Sequence, residues 1–238
     1  MLIFWRLILG HLLADFTLQA DAINRWKRAS FQGMAIHCAM HLACYAGLTY
    51  PYLGQVWVHI HGVGLPGWAC ILLVVLGHFL EDQWRAFKIA EHHLADSTIL
   101  FLWDQCIHGV IIFAVIPGGL HDASSALLPE AWTVLACLFI LVTHAATVLV
   151  YYVEKDLHGR PFPVGREKRA AMAERLVLAL LLLVPGRLWV PLALAWLLAM
   201  RVVRSRRLLG LSWESFYLGG GVAAACGLLA RLVYYRAG

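Results

Sequence analysis

Charged side chains are scarce in this sequence. Asp, Glu, Lys and Arg make up 14% of the 238 residues, whereas hydrophobic residues make up 61% and the mean hydropathy is +0.73. Soluble domains are about a quarter charged, so the composition excludes an ordinary water-soluble enzyme, a disordered chain and a coiled coil. The six cysteines stand singly within apolar runs, without a C-x-x-C pair, and we interpret them as packing residues.

Several catalytic motifs are also missing. The chain contains no H-E-x-x-H, no G-x-S-x-G and no P-loop, so the chemistry that depends on those motifs finds no support. The formal net charge is +5, but the basic residues stand between apolar runs, where membrane orientation explains them better than nucleic-acid binding. We therefore expect a lipid bilayer, and no nucleic acid, as a partner.

Long apolar runs are what the chain does have. A membrane-spanning helix needs roughly 20 residues. Runs of about that length occupy residues 2–20, 34–53, 66–84, 98–117, 131–153 and 215–235. A further stretch, 174–200, is interrupted at Pro185-Gly186 and is either one tilted span or a re-entrant hairpin. The pattern predicts an all-α, polytopic membrane helix bundle with six or seven hydrophobic segments.

Basic residues predict how these segments are oriented. They follow the first and third runs and fill a basic loop at 154–175, but they are absent from 54–65 and 118–130. Because cytoplasmic loops are rich in Lys and Arg, we place the basic loops in the cytoplasm and both termini outside, in a bacterial inner membrane. The interrupted run is followed by Arg201, Arg204, Arg206 and Arg207. We favour the hairpin because it returns these arginines to the cytoplasm.

The first four runs contain an internal repeat. Residues 9–15, LGHLLAD, recur as residues 76–82, LGHFLED, with five identities in seven positions at an offset of 67. A pair of helices crosses the membrane and returns, so the two copies keep the same orientation, which is the parallel type of repeat. We therefore divide the chain into a duplicated region, 1–117, and a C-terminal helical membrane region, 118–238, with the basic loop and the broken hairpin 174–200.

The repeat aligns His and Asp residues in i, i+4 pairs, which project from one face of a helix. The eight are His11, Asp15, His37, His41, His78, Asp82, Asp104 and His108. Ionisable groups are costly in a membrane unless they are paired or ligated, and all eight fall in one layer near the basic ends of the helices. Imidazole and carboxylate groups suit a divalent metal, Zn or Mn with Fe as the alternative, and eight suffice for two ions. The alternative interpretation is that no metal is bound and that each His forms a hydrogen bond with an Asp on a neighbouring helix, which holds the helices together.

Three neighbouring polar residues are candidates for catalysis. Gln19 and Gln105 could orient carboxylates or a substrate oxygen, and Glu81, three residues after His78, could act as a general base. The alternative for each is an ordinary polar position at a helix end or membrane interface.

Four blocks of sequence resemble a known family. They are HLLADFTLQ at 11–19, the His-rich second run, HFLED at 78–82 and DQCIH at 104–108. Together, over roughly residues 1–115, they resemble a bacterial integral membrane family of unknown function. The chain is also loosely similar to bacterial inner-membrane proteins described as metal-dependent hydrolases. Neither resemblance implies a substrate.

These observations lead to competing functional hypotheses. The first is a membrane-embedded metal-dependent hydrolase or transferase that acts on a lipid or polyprenyl-type substrate at the cytoplasmic interface. A di-iron oxidase or desaturase is an alternative, although Ile89 stands where an H-x-x-H-H box ending in His92-His93 needs histidine. An ion- or proton-coupled transporter is a third hypothesis, but its site should lie nearer the membrane midplane.

Overall fold

Helices dominate the computed structural model, which describes residues 2–117, 129–207 and 209–236. The elements before residue 118 are α1 (Leu2–Leu12), a π-helical turn (Leu13–Leu18), α2 (Asp21–Ala29), α3 (Phe31–Thr49), β1 (Val56–Ile60), β2 (Val63–Pro66), α4 (Gly67–Ala90) and α5 (Thr98–Ala114). The later ones are α6 (Glu130–Ile140), a π-helical turn (Leu141–Ala145), α7 (Ala146–His158), α8 (Gly165–Leu182), α9 (Trp189–Ser205), a π-helical turn (Ser215–Gly219) and α10 (Gly220–Arg236). The predicted all-α class is confirmed.

The chain separates into two compact units, Met1–Cys137 and Leu138–Gly238. Our predicted division lay between residues 117 and 118. Residues 118–128, which form most of the predicted non-basic loop 118–130, lie outside the described part of the chain.

Helices α1, α3, α4 and α5 surround the interior of the first unit, where α1 and α4 each pack against both α3 and α5. One face of each helix is apolar along part of its length and carries ionisable side chains along the rest. Along α1 and the π-helical turn after it, Ile3 and Leu7 are followed at the same spacing by His11 and Asp15, and α4 changes in the same way after Val74. Residues four apart lie on the same helix face. The bundle therefore has an apolar half, which includes Tyr45, and a polar half.

The repeat extends to details of the backbone. Ser30 accepts a hydrogen bond from the Gly33 amide at the start of α3, and Ser97, 67 positions later, caps α5 in the same way through the Leu100 amide. A serine side chain at this position satisfies one of the unpaired amides of the first helical turn. These caps start the second helix of each copy at equivalent positions.

A glycine in each copy allows the two helices of the pair to come close. A Cβ atom added to Gly10 would lie 2.8 Å from Cδ1 of Tyr45 on α3, and one added to Gly77 would lie 3.0 Å from Cγ2 of Ile111 on α5. The glycine of the repeated LGH motif is therefore needed in both copies, because a larger residue would contact the neighbouring helix.

Three segments that we predicted as loops are structured. Residues 21–29 form the amphipathic helix α2, residues 56–66 form the antiparallel pair β1–β2, and only 159–164 of the predicted basic loop 154–175 lie outside helices. Glu, Lys, Arg and Ala favour helix over loop, so the charged run after Gly165 extends α8 by almost three turns. Gly159, with φ of +66°, ends α7 in the left-handed conformation that glycine adopts readily.

The prediction of six or seven spans is not supported. Among the described residues, Glu130–His158 and Ser215–Tyr235 are long and apolar enough to cross a membrane, and the bent pair Leu2–Leu18 with Asp21–Ala29 is a third if it forms one broken span. Helix α5 has only 17 residues, shorter than the roughly 20 that a span needs. The acidic and imidazole side chains of α4 lower its hydropathy. The interrupted stretch 174–200 turns between Leu182 and Trp189.

The second unit is organised around buried arginines. Arg204 forms a bidentate ion pair with Glu174 at 2.6–2.7 Å, and Arg175 donates to the carbonyl oxygens of Val142 (2.8 Å) and Thr143 (3.2 Å). Both carbonyls belong to the π-helical turn after α6, where the regular helical hydrogen bonds are displaced. Arg175 thus holds an irregular turn of the neighbouring helix.

Candidate metal centre

All eight predicted ligands lie together in the polar half of the first unit. Their ligand atoms form three groups in which every atom lies within 4.8 Å of the others. The groups are Asp15 with His37, His41 and His78; His11 with His78 and His108; and Asp82 with Asp104 and His108. Seven of the eight are buried and Asp15 is nearly so. These clusters could hold a metal ion, although they do not identify which one.

The first group has the dimensions of a coordination shell. Asp15 Oδ1 lies 3.2 Å from His37 Nε2 and 3.1 Å from His41 Nε2, and the Nε2 atoms of His37 and His78 are 3.1 Å apart. The His78 Nε2 to Asp15 Oδ1 separation is 4.0 Å. Ligands at about 2.0–2.1 Å from a tetrahedral ion are about 3.3–3.4 Å from one another. The donor atoms therefore stand at nearly the spacing that a bound ion would give them.

Several acceptors and one cation, Lys27 Nζ at 3.2 Å from Nε2, converge around the ring of His37. Its Nε2 faces Asp15 Oδ1 and Asp82 Oδ2, each at 3.2 Å, in addition to His78 Nε2. A neutral imidazole carries one N–H, so it can donate to one of these three atoms. Carboxylates and imidazoles packed in this way need further positive charge, which a metal ion or protons can provide.

Several buried polar atoms of the cluster also lack hydrogen-bond partners among the described residues. They are Nδ1 of His11, His37 and His78, both ring nitrogens of His108, and Oδ1 of Asp104. Leaving such atoms buried without a partner costs roughly 1–3 kcal/mol each. A divalent ion coordinated by some of them would remove part of this cost, so the donor set fits such an ion.

The π-helical turn after α1 positions Asp15. A π-helical turn widens the helix by one residue and is frequent at functional sites. Asp15 Oδ2 lies 3.4 Å from His11 on the same helix, while Oδ1 reaches His37 and His41 on α3. Asp15 therefore links α1 to α3 through its two oxygens.

Of the three predicted catalytic residues, Gln105 is part of the cluster. Its Oε1 lies 3.3 Å from His11 Nε2, and its Nε2 donates to Asp104 Oδ2 at 3.0 Å. Glu81 belongs to none of the three groups, and Glu81 and Gln19 each have a buried Oε1 without a hydrogen-bond partner in the described structure. A role for them in catalysis stays a prediction.

Two basic residues that we had placed only in the loops beside the layer contact the cluster directly. Lys27 Nζ, from α2, lies 3.0 Å from Asp82 Oδ2 and 3.2 Å from His37 Nε2, and Arg85 Nη1 lies 3.1 Å from Asp104 Oδ2. Arg85 follows His78 and Asp82 at helical spacing, so its position on the same face could have been found from the sequence. Lys27 gave no such signal, because only the turn between α1 and α2 directs it inward.

Asp96, in the loop before α5, links Arg28 of α2 to Arg85 of α4. Its oxygens lie 2.9 Å from Arg28 Nη1 and 2.8 Å from Arg85 Nη2. Burial alone would raise the pKa of Asp96, but hydrogen bonds and charges from Arg28 and Arg85 hold it below its ordinary value of 3.8. These two ion pairs hold the loop before α5 against α2 and α4.

Comparison with known proteins gives one match. A family model described as a protein of unknown function (DUF3307) matches residues 3–135, which is more than half of the chain. The chain belongs to the DUF3307 family. The DUF3307 region includes every member of the three ligand groups, and it agrees with the predicted resemblance to a family of unknown function. No curated protein and no solved structure shows significant similarity to the chain, so the looser likeness to metal-dependent hydrolases finds no support there.

Proposed function

We propose that this DUF3307 protein is a membrane-embedded, metal-dependent hydrolase or transferase that acts on a lipid or polyprenyl-type substrate at the cytoplasmic interface of the inner membrane. The observation that carries the proposal is the convergence of eight imidazole and carboxylate side chains from four helices in one buried layer. Packing alone would give each histidine a hydrogen-bond partner, whereas neither ring nitrogen of His108 has one in the described part.

A divalent ion bound by these side chains would polarise a carbonyl or phosphoryl oxygen of the substrate. The protein's own groups would orient the ligands and move protons. Gln105 holds Asp104 and His11 through its two amide atoms, as outer partners of metal ligands do. Glu81 is our candidate for the proton-transferring group, because its Oε1 is buried on the helix that carries His78 and Asp82.

The surroundings of the cluster favour an anionic headgroup at a membrane surface. Helix α2 is amphipathic, is bent by 98° from the helix before it, and leaves Trp26 and Arg28 exposed. Basic amphipathic helices with Trp suit the interface of anionic lipids. Lys27 connects this helix to Asp82, so a headgroup held by α2 would lie beside the cluster.

Metal analysis and product analysis together test the proposal. The detergent-purified protein should retain Zn or Mn, the double variant Asp15→Asn, Asp82→Asn should lose it, and the exposed-site variant Asp21→Asn should retain it. With inner-membrane lipid vesicles, the wild-type protein should form a hydrolysed or transferred product that the double variant and chelator-treated protein do not form. Redox-active iron would favour the oxidase instead. Absence of metal from all preparations would contradict the proposal.

The cytoplasmic orientation is tested separately. A single cysteine placed at Arg160, in the loop 159–164, should resist membrane-impermeant thiol reagents in intact cells once the exposed Cys106 has been replaced by Ser. Rapid labelling in intact cells would place this loop outside and contradict the predicted orientation.

A further inference from the structure

We propose that the centre contains two unequal metal subsites related by the internal repeat, one selective for Zn and the other for a harder ion such as Mn. This inference rests on the metal centre of the proposed function. The first subsite consists of Asp15, His37, His41 and His78, and the second consists of Asp82, Asp104, His108 and His11.

The repeat relates each ligand of one subsite to a ligand of the other subsite. The offset of 67 takes Asp15 to Asp82, His37 to Asp104 and His41 to His108, and the same offset relates His11 to His78. Each subsite would therefore take three ligands from its own copy and one histidine from the first helix of the other copy. Such an exchange is what a two-fold arrangement of parallel repeats produces.

The geometry of the described residues follows this correspondence. The ligand atoms of the first subsite form one complete group, and Asp82, Asp104 and His108 form another. His11 forms a group with His108 and His78 rather than with Asp82 and Asp104, so it meets the second subsite through His108. The rings of His78 and His108, one from each subsite, are stacked with their centroids 4.1 Å apart, so the two subsites are neighbours.

The subsites differ at one corresponding position. The first has three imidazoles and one carboxylate, whereas Asp104 in place of His37 gives the second two of each. Imidazole ligands suit Zn, and carboxylates favour harder ions such as Mn and Mg. A single difference between the copies therefore predicts a difference in metal preference.

The atoms of the second subsite are disposed to accept an ion. Asp104 Oδ2 is occupied by Arg85 at 3.1 Å and by the Gln105 amide at 3.0 Å. Its Oδ1 and both ring nitrogens of His108 are buried and have no hydrogen-bond partner in the described part of the chain. Arg85 also offsets the charge that the second carboxylate adds, and one oxygen of Asp104 remains for coordination.

Exchange of the ligands that differ tests the inference. Metal-free protein is loaded with a mixture in which Mn is in large excess over Zn, because a given nitrogen and oxygen site generally binds Zn more tightly than Mn. The protein is then dialysed and measured for metal content, and bound Mn is followed by electron paramagnetic resonance. The wild-type protein should retain one Zn and one Mn per chain. Asp104→His should raise the Zn affinity of the second subsite by roughly tenfold or more and replace Mn by a second Zn. His37→Asp should lower the Zn affinity of the first subsite by a similar factor, so that this variant no longer retains a tightly bound Zn.

A matched control and a fold measurement accompany these variants. Asp21→His introduces a histidine at an exposed position outside the cluster and should retain one ion of each kind. Circular dichroism and thermal melting in detergent verify that each variant is folded. Two ions of the same kind, one ion per chain, or an Asp104→His variant with wild-type metal content would each overturn the inference while leaving the proposed function in place. A wild-type protein that binds neither metal would overturn the proposed function itself.

Discussion

The Nε2 atoms of His37 and His78 face each other at 3.1 Å across the interior of the bundle, although the two residues come from different copies of the repeat. Two acceptor nitrogens this close need a proton or a cation between or beside them. Lys27, which touches both His37 and Asp82, is one such cation. The balance of charge around this contact leads to the first prediction.

Replacing Lys27 by Met should destabilise the metal-free protein more than the metal-loaded protein. Removal of one partner of a buried ion pair costs roughly 3–5 kcal/mol, and the Lys27–Asp82 pair is nearly buried. A bound divalent ion supplies positive charge near the same carboxylate, so Zn should reduce the loss. Denaturant unfolding in detergent, with and without Zn, measures both values. Arg25→Met, an exposed change on α2, is the control, and equal stability of the two variants would contradict the prediction.

Asp96 should contribute to stability in a way that depends on pH. Because Arg28 and Arg85 hold its folded pKa below 3.8, its contribution is complete above the unfolded value and disappears as the pH falls through the folded pKa. The difference in unfolding free energy between the wild-type protein and Asp96→Asn should be constant from about pH 7 to pH 5 and shrink below about pH 4. A difference that grows on acidification would exclude this role for the pair. Glu91→Gln is the exposed control.

Gly10→Ala should destabilise the first unit. The new Cβ would lie 2.8 Å from the ring of Tyr45, which is fully buried and has little room to move. Overpacking of this kind costs about 1–3 kcal/mol. Gly47→Ala on α3 is the control because nothing lies within 4 Å of its added Cβ, and it should stabilise the helix by about 0.5–1 kcal/mol. Unfolding in denaturant compares the two, and a Gly10→Ala variant as stable as Gly47→Ala would refute the close approach.

Arg175→Met should destabilise the second unit by roughly 2–4 kcal/mol, because the carbonyl oxygens of Val142 and Thr143 would lose buried donors. Arg175→Lys should recover only part of the loss, since an ammonium group lacks the planar set of donors that reaches both oxygens. Thermal unfolding in detergent measures the effect. Arg169→Met, at an exposed position of α8, should be close to wild type; a similar loss there would mean that helix propensity rather than the π-helical turn is responsible.

The sequence located most helices because apolar runs and helices coincide. The predicted run 98–117 became α5, Thr98–Ala114, and the interruption at Pro185-Gly186 lies in the turn between α8 and α9. Helix α2 was missed because it is too polar to form an apolar run, and the helical part of 154–175 was missed for the same reason. Charge was interpreted there as a signal of loops, whereas Lys, Arg and Glu also form stable helices.

The candidate site was predictable to the extent that it depends on local geometry. Spacing of four residues fixes His11 with Asp15, and His78 with Asp82, on one face of a helix whatever the surroundings. The serine pair at the same offset of 67, Ser30 and Ser97, was available as a further signal of the repeat. The inward direction of Lys27 was not predictable, because it depends on the 98° bend between α2 and the preceding helix.

Residue spacing alone shows which side chains share a helix face and at what height along the helix they stand, because helical periodicity is a property of the local backbone. Spacing does not show that these four faces meet, that Asp15 reaches α3 from a π-helical turn, or that Lys27 and Arg85 contact the carboxylates. Those relationships depend on how separate helices pack and bend, and contacts between residues distant in the chain follow from packing rather than from spacing.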